Sequence, residues 1–161
     1  MTNKLDETDL VILKELRADC KRPMRELSHK LHMHPNTLLQ RIKKLEKTKI
    51  IRKYYADVDY KALGYDMHAV VTIKIRKSGL ENPNLLKEVA GLPEVESLYA
   101  VAGSADCIAV VKAKNRDDLV RVLQTIQSNT SVLRTVSYLI LITYKDSYQF
   151  NPLSYHTGKK Q

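Results

Sequence analysis

Within "HPNTLLQRIKKLEK", residues 34 to 47, seven side chains have the chemistry for recognition: Asn36, Thr37, Gln40, Arg41, Lys43, Lys44 and Lys47. Asn and Gln present a donor beside an acceptor and can pair bidentately with adenine, and Arg and Lys can do the same with guanine. The remaining cations can neutralise phosphates. Spacing turns these residues into a surface. At ~100° per residue, Asn36, Gln40, Lys43 and Lys47 share one side of a helix, and Leu38, Ile42 and Leu45 share a narrow arc opposite. Thr37, Arg41 and Lys44 flank the polar side. A helix with one face to bury and the other fitted to the B-DNA major groove is the expectation.

Such a helix needs elements to hold it. Pro35 suits its first position, where a missing N–H costs nothing. Upstream, "DETD" supplies Asp6 as an N-cap with Asp9 three residues on, and Leu5, Leu10, Ile12, Leu13 and Leu16 recur at helical spacing, predicting a helix from about Glu7 to Ala18. Lys21 to Pro23 breaks it, and Met24, Leu27 and Leu31 mark a short second helix ending near His32. Three short helices with tight connections, the last basic on its outer side, form a helix-turn-helix pattern. Arg22 and Arg25 lie close enough to join Lys43, Lys44 and Lys47 in gripping phosphate.

Charge agrees with this placement. The 161-residue chain carries a formal net charge of +9. Lys21 to Lys53 alone hold eleven Lys and Arg against only Glu26 and Glu46, so one fifth of the chain carries a surplus equal to the whole. A local positive potential of this kind suits a polyanion or an anionic surface. No stretch approaches the ~18 to 20 apolar residues of a membrane span, and "MTNKLDETD" lacks the apolar core of a signal peptide, so a cytoplasmic protein with no membrane partner is expected. Cys20 and Cys107 stand far apart outside any CxxC spacing, which argues against a disulfide framework or zinc ribbon and for small packing residues.

After Ile50 the period changes. "IIRKYYADVDY" alternates like a strand and "KALGYD" closes it with Gly64 in a turn, making residues 50 to 65 a linker. The remainder repeats itself: "HAVVTIKIR", "VESLYAVAG", "CIAVVKAKN" and "LRTVSYLILITYK" read as strands. The helices between them are "NPNLLKEVAGL", opened by Asn82 and Pro83, and "RDDLVRVLQTIQ". Two β-α-β units in series predict an α+β chain: a helix-turn-helix domain over 1–49, the linker strand, and a ferredoxin-like βαββαβ domain over 66–161. Its helix-free face is expected to carry Val71, Ile73, Ile75, Val110, Ile140 and Ile142, an apolar surface that face-to-face dimerisation would cover.

Together, "LDETDLVILKEL", "RELSHKLHMHPNTLLQRIKKLEKTKII", "ADVDYKALGYD" and "VAGSADCIAVVKAKN" resemble the Lrp/AsnC, or feast/famine, family of transcription regulators over nearly the whole chain. The resemblance implies a winged-helix-like DNA reader joined to a ligand-sensing domain, homodimers on palindromic sites that often assemble into octamers, and amino acids as effectors. It assigns the recognition helix to Pro35 through Thr48, an effector loop to Gly103, Ser104, Ala105 and Asp106, and cleft-lining positions to Thr135 and Ser137. Gly103 permits a tight turn, neighbouring N–H groups could hold a carboxylate, and Asp106 could pair with an α-amino group. Two positions depart from the family: His34 stands where a Ser cap is usual, and Lys49 where Gly is usual.

Other readings are open. His29, His32 and His34 in "HKLHMH" have chelating spacing, but no Cys or carboxylate nearby completes a metal set, so neither metal nor cofactor is expected. The siroheme decarboxylases resemble this family in both domains. Here, however, His68 and His156 are the only histidines beyond the head, and no catalytic constellation is present, so a non-enzyme is expected. An architectural protein that wraps DNA is the third reading.

Overall fold

The computed structural model describes residues 5–76, 83–150, 152 and 153. They divide into two compact units, one holding the residues up to Asp57 with those from Lys145 onward, the other Val58–Tyr144.

The first unit contains α1 (Glu7–Ala18), α2 (Met24–Lys30) and α3 (Pro35–Lys47). A reciprocal cap starts α1: the Asp9 N–H donates to the Asp6 carboxylate at 2.7 Å, and the Asp6 N–H to the Asp9 carboxylate at 3.4 Å. Ile12, Leu27, Leu38, Ile42 and Leu45 are buried together and gather Leu13, Leu16, Leu31 and Ile51 around them. At about 1.5–3 kcal/mol for each large side chain removed from water, this cluster holds the three helices.

Both α2 and α3 end in a Schellman turn. The His32 N–H donates to the His29 carbonyl at 3.1 Å and the Met33 N–H to that of Ser28 at 2.9 Å; the Lys49 N–H donates to the Glu46 carbonyl at 2.9 Å and the Ile50 N–H to that of Leu45 at 3.0 Å. This closure places His32 at φ 47° and Lys49 at φ 57°. Residues with a Cβ lose roughly 1–2 kcal/mol in that left-handed region, which glycine enters freely.

Residues 52–59 form no strand, contrary to the expectation for "IIRKYYADVDY", because among the described residues no strand lies alongside to take up their hydrogen bonds. The turn at Gly64, with φ 83°, is present. Chain division also differs from the expected 1–49, 50–65 and 66–161. The segment after Tyr144 leaves the sheet unit, forms a 3₁₀ turn at Ser147–Gln149 capped by Asp146, and is held on α1 where the Arg17 guanidinium donates to the Phe150 carbonyl.

The second unit contains β1 (Met67–Ile75), α4 (Pro83–Ala90), β2 (Val95–Ala100), β3 (Cys107–Ala113), α5 (Arg116–Ser128) and β4 (Val132–Leu139). The strands make one antiparallel sheet in the order β2-β3-β1-β4, the ferredoxin-like arrangement. Asn82, expected to open α4, lies outside the described residues. Asn115 caps α5 by accepting the Asp118 N–H at 2.9 Å.

The phase of β1 corrects one expectation. Val71, Ile73 and Ile75 are buried in the core that includes Leu85 and Val89 of α4 and Leu119, Val122 and Ile126 of α5. The helix-free face instead carries Val70 and Thr72, opposite Val110 and Ile108 on β3 and Tyr138 and Val136 on β4. With a side-chain period of two, an assignment shifted by one residue exchanges the faces of Val71, Ile73 and Ile75, whereas Val110, opposite Val70, and Ile140, in step with Val136 and Tyr138, keep the expected face. "LRTVSYLILITYK" likewise stops being a strand at Leu139. The Ile140 N–H still donates to the His68 carbonyl at 2.7 Å, but β1 begins at Met67 and offers nothing further. Leu141, Ile142 and Tyr144 are left exposed.

Candidate nucleic-acid interface and effector loop

α3 is placed by its own pattern. Leu38, Ile42 and Leu45 anchor it, and the side chains of Asn36, Thr37, Gln40, Lys43, Lys44 and Lys47 are all exposed. Among the described residues none of those six side chains has a hydrogen bond or ion-pair partner. The N-terminus is closed by His34, whose Nδ1 accepts the Asn36 N–H at 3.3 Å, so an imidazole does the work of a hydroxyl cap. His34 thereby has a structural use, and the rings of His29 and His32 lie 6.5 Å apart.

Two expected DNA contacts are committed elsewhere. Arg41 donates through one guanidinium nitrogen to Asp6 at 2.6 Å and to Asp9 at 2.7 Å, clamping α3 to the start of α1. Its position on α3, between the polar side and the buried arc, turns it toward α1, and the missed signal was the Asp6/Asp9 pair already visible as a cap. Asp9 is only 1% exposed, so the guanidinium compensates a buried carboxylate. This hydrogen bond also holds the Asp6 carboxyl below its usual range. Arg22 is similarly held, by Glu15 at 2.5 Å, while Lys30 reaches the same carboxylate at 2.6 Å. Hydrogen bonding from Lys30, then from Arg22, keeps the Glu15 carboxyl below the ordinary carboxylate range against the opposing effect of burial. Arg25 is exposed; its carbonyl accepts the Ser28 hydroxyl at 2.8 Å, and its guanidinium has no partner among the described residues.

In the sheet unit, Gly103, Ser104, Ala105 and Asp106 form the β2–β3 connection. Gly103 has φ 152° with nothing within 4 Å of where a Cβ would stand, so backbone conformation and not crowding requires glycine. Asp106 is not idle: its carboxylate accepts the Ile75 N–H at 2.7 Å and Lys74 Nζ at 2.9 Å, and its own N–H donates to the Ile73 carbonyl at 3.0 Å. The bond from Ile75, then that from Lys74, holds its carboxyl below the ordinary range. Asp106 therefore staples the loop to the end of β1. Lys74 was missed because only the register shows that it meets the loop.

Thr135 and Ser137 lie on β4 opposite Ile73 and Val71, and Thr135 Oγ1 accepts from Gln127 on α5 at 2.8 Å. Thr135 thus lies near the loop end of the sheet, across β1 from the loop at two strand spacings or about 10 Å, whereas Ser137 stands opposite the middle of β1. Cys107 is buried in the core, but Cys20 is exposed just past the end of α1, not the packing residue expected. Among the described residues no three His, Cys, Asp or Glu side chains converge as a metal set, and no helix is long and apolar enough to cross a membrane.

A three-helix head presenting a basic helix, followed by a four-stranded sheet with helices on one face and a glycine loop at one end, defines a DNA-binding protein with a separate sensing domain. The AsnC-type helix-turn-helix domain matches residues 5–46 and the Lrp/AsnC ligand binding domain matches residues 68–150. The chain belongs to the Lrp/AsnC family of helix-turn-helix transcription regulators. It is 34% identical over 143 residues to the HTH-type transcriptional regulator FL11 of Pyrococcus horikoshii, covering 89% of this chain and 93% of that one. It is 31% identical to LrpC of Bacillus subtilis, covering 85% and 92%. A transcriptional regulator of Neisseria meningitidis, solved as its L-methionine complex, superimposes with a TM-score of 0.83 at 28% identity, covering 89% of this chain and 94% of that one.

Proposed function

We propose that this regulator acts as a homodimer, or a higher assembly of dimers, in which Asn36, Thr37 and Gln40 read base edges while Lys43, Lys44 and Lys47, with Arg25, hold phosphates. The observation that carries this reading is the exposed, uncommitted face of α3 standing on a buried apolar arc. Arg22 and Arg41 enter the same reading as supports of the head, through Glu15 and the Asp6/Asp9 pair.

An amino acid is the proposed effector class, bound beside Gly103 to Asp106 and the polar positions Thr135 and Ser137. Support comes from the place of Thr135 near the loop end of the sheet and from the L-methionine held by the Neisseria relative. Asp106 contributes by shaping the loop, since its carboxylate already serves β1. Dimerisation is supported by the half-exposed apolar row Val110, Val136 and Tyr138 and by the exposed Leu139, Leu141, Ile142 and Tyr144. As a gene regulator and not a catalyst, the protein acts by changing where its heads sit on DNA.

Fragments of genomic DNA retained by the purified protein, with and without a pool of amino acids, provide the test. Discrete promoter-proximal sites whose occupancy shifts with an amino acid are expected. Continuous coverage would mark an architectural protein instead, and indifference to every amino acid would remove the effector.

A further inference from the structure

We propose that Lys49 and His32 are contacts to the DNA sugar-phosphate backbone, one beyond each end of α3, kept at strained positions because a basic side chain is needed there. The proposal rests on the reading of α3 as the groove helix. Both residues occupy the left-handed position of a Schellman turn, at φ 57° and 47°, where glycine would close the same hydrogen bonds without strain. Unforced strain of this kind concentrates where function fixes the residue.

Placement supplies the function. His32 lies three residues before Pro35 and Lys49 two residues after Lys47, so the pair brackets a helix about 20 Å long. A helix seated in a groove ~12 Å wide brings its two ends toward the opposite phosphate walls. Both side chains are exposed, and neither has a hydrogen bond or ion pair with a described residue. Charge points the same way: Lys47, Lys49, Arg52 and Lys53 follow one another with no carboxylate before Asp57. The one acidic neighbour inside α3, Glu46, already accepts the Tyr54 hydroxyl at 2.9 Å. No described residue of the head pairs with the Lys49 ammonium, and a phosphate would.

The test sets stability against binding in the full-length protein. Thermal melting and affinity for a mixed-sequence duplex across a salt series are measured for wild type, Lys49→Gly, Lys49→Asn, Lys49→Arg and His32→Gly. Lys49→Gly should melt higher yet bind several-fold more weakly, with the slope of log affinity against log salt reduced by about 0.9, the share of one phosphate. Lys49→Asn, which tolerates the left-handed position without the charge, should lose the same slope, and Lys49→Arg should keep it. His32→Gly should likewise melt higher and bind several-fold more weakly. A glycine variant that gains stability and keeps wild-type binding is a helix end and nothing more, which overturns the assignment for that residue; a lower melting temperature overturns the strain argument. Wild type that ignores every duplex would instead defeat the reading of α3 itself.

Discussion

Arg41 shows how a residue type can mislead and a partner can correct. Arginine on a groove helix invites pairing with guanine, but this guanidinium bridges Asp6 and a fully buried Asp9. Arg41→Ala should therefore cost about 2–3 kcal/mol of stability in a urea melt, since it strands a buried carboxylate. Its loss of DNA affinity should be equal on preferred and random duplexes. Gln40→Ala should do the opposite: leave the melt unchanged and relax base preference by about 1–3 kcal/mol. Acid sensitivity follows from the same contacts. Asp6, Glu15 and Asp106 all have folded pKa values below their ordinary 3.8 to 4.5, so the stability they contribute is complete above that range and lost as pH falls through the lowered values. A pH series of melts should show a steep fall below about pH 4, made shallower by Asp6→Asn.

At the scale of elements, α3 was legible because its period of 3.6 assigns each residue to a face without reference to anything else. Leu45→Ala should cost about 2–5 kcal/mol and abolish binding to all duplexes together, because it removes the anchor and not a contact. Strands were less legible. In β1 the segment "HAVVTIKI" sets His68, Val70, Thr72 and Lys74 on one face against Ala69, Val71, Ile73 and Ile75 on the other. The polar residues already mark the outer face that the sequence reading missed, and pairing with β3 and packing on α5 leave Val71 facing inward. The Gly103 loop was legible as a motif, whereas its staple to Lys74 and Ile75 was not. Asp106→Asn should lower the melting of the sheet unit and weaken any effector response together, readable by calorimetry with and without an amino acid.

For the whole molecule, the apolar row on the helix-free face and the exposed Leu141, Ile142 and Tyr144 are the surfaces on which the proposed dimer rests. Val136→Lys with Tyr138→Lys should yield a smaller particle by light scattering while far-ultraviolet dichroism stays unchanged. Retention of the wild-type mass would remove the sheet face from the interface. DNA affinity should fall steeply in that variant, because half-sites one helical turn apart need two linked heads.

By itself the sequence determined the three-helix head, the outward chemistry of α3, the ferredoxin-like order of elements and the glycine loop. Each is written in local periodicity, capping residues or turn chemistry, which act over a few neighbours. Tertiary structure alone decided which cations are paired, where β4 stops, and that the chain at Phe150 returns to α1. Those outcomes depend on residues distant in the chain, as Asp9 is from Arg41 and Asp106 from Lys74, and no local pattern records which distant carboxylate a side chain will meet.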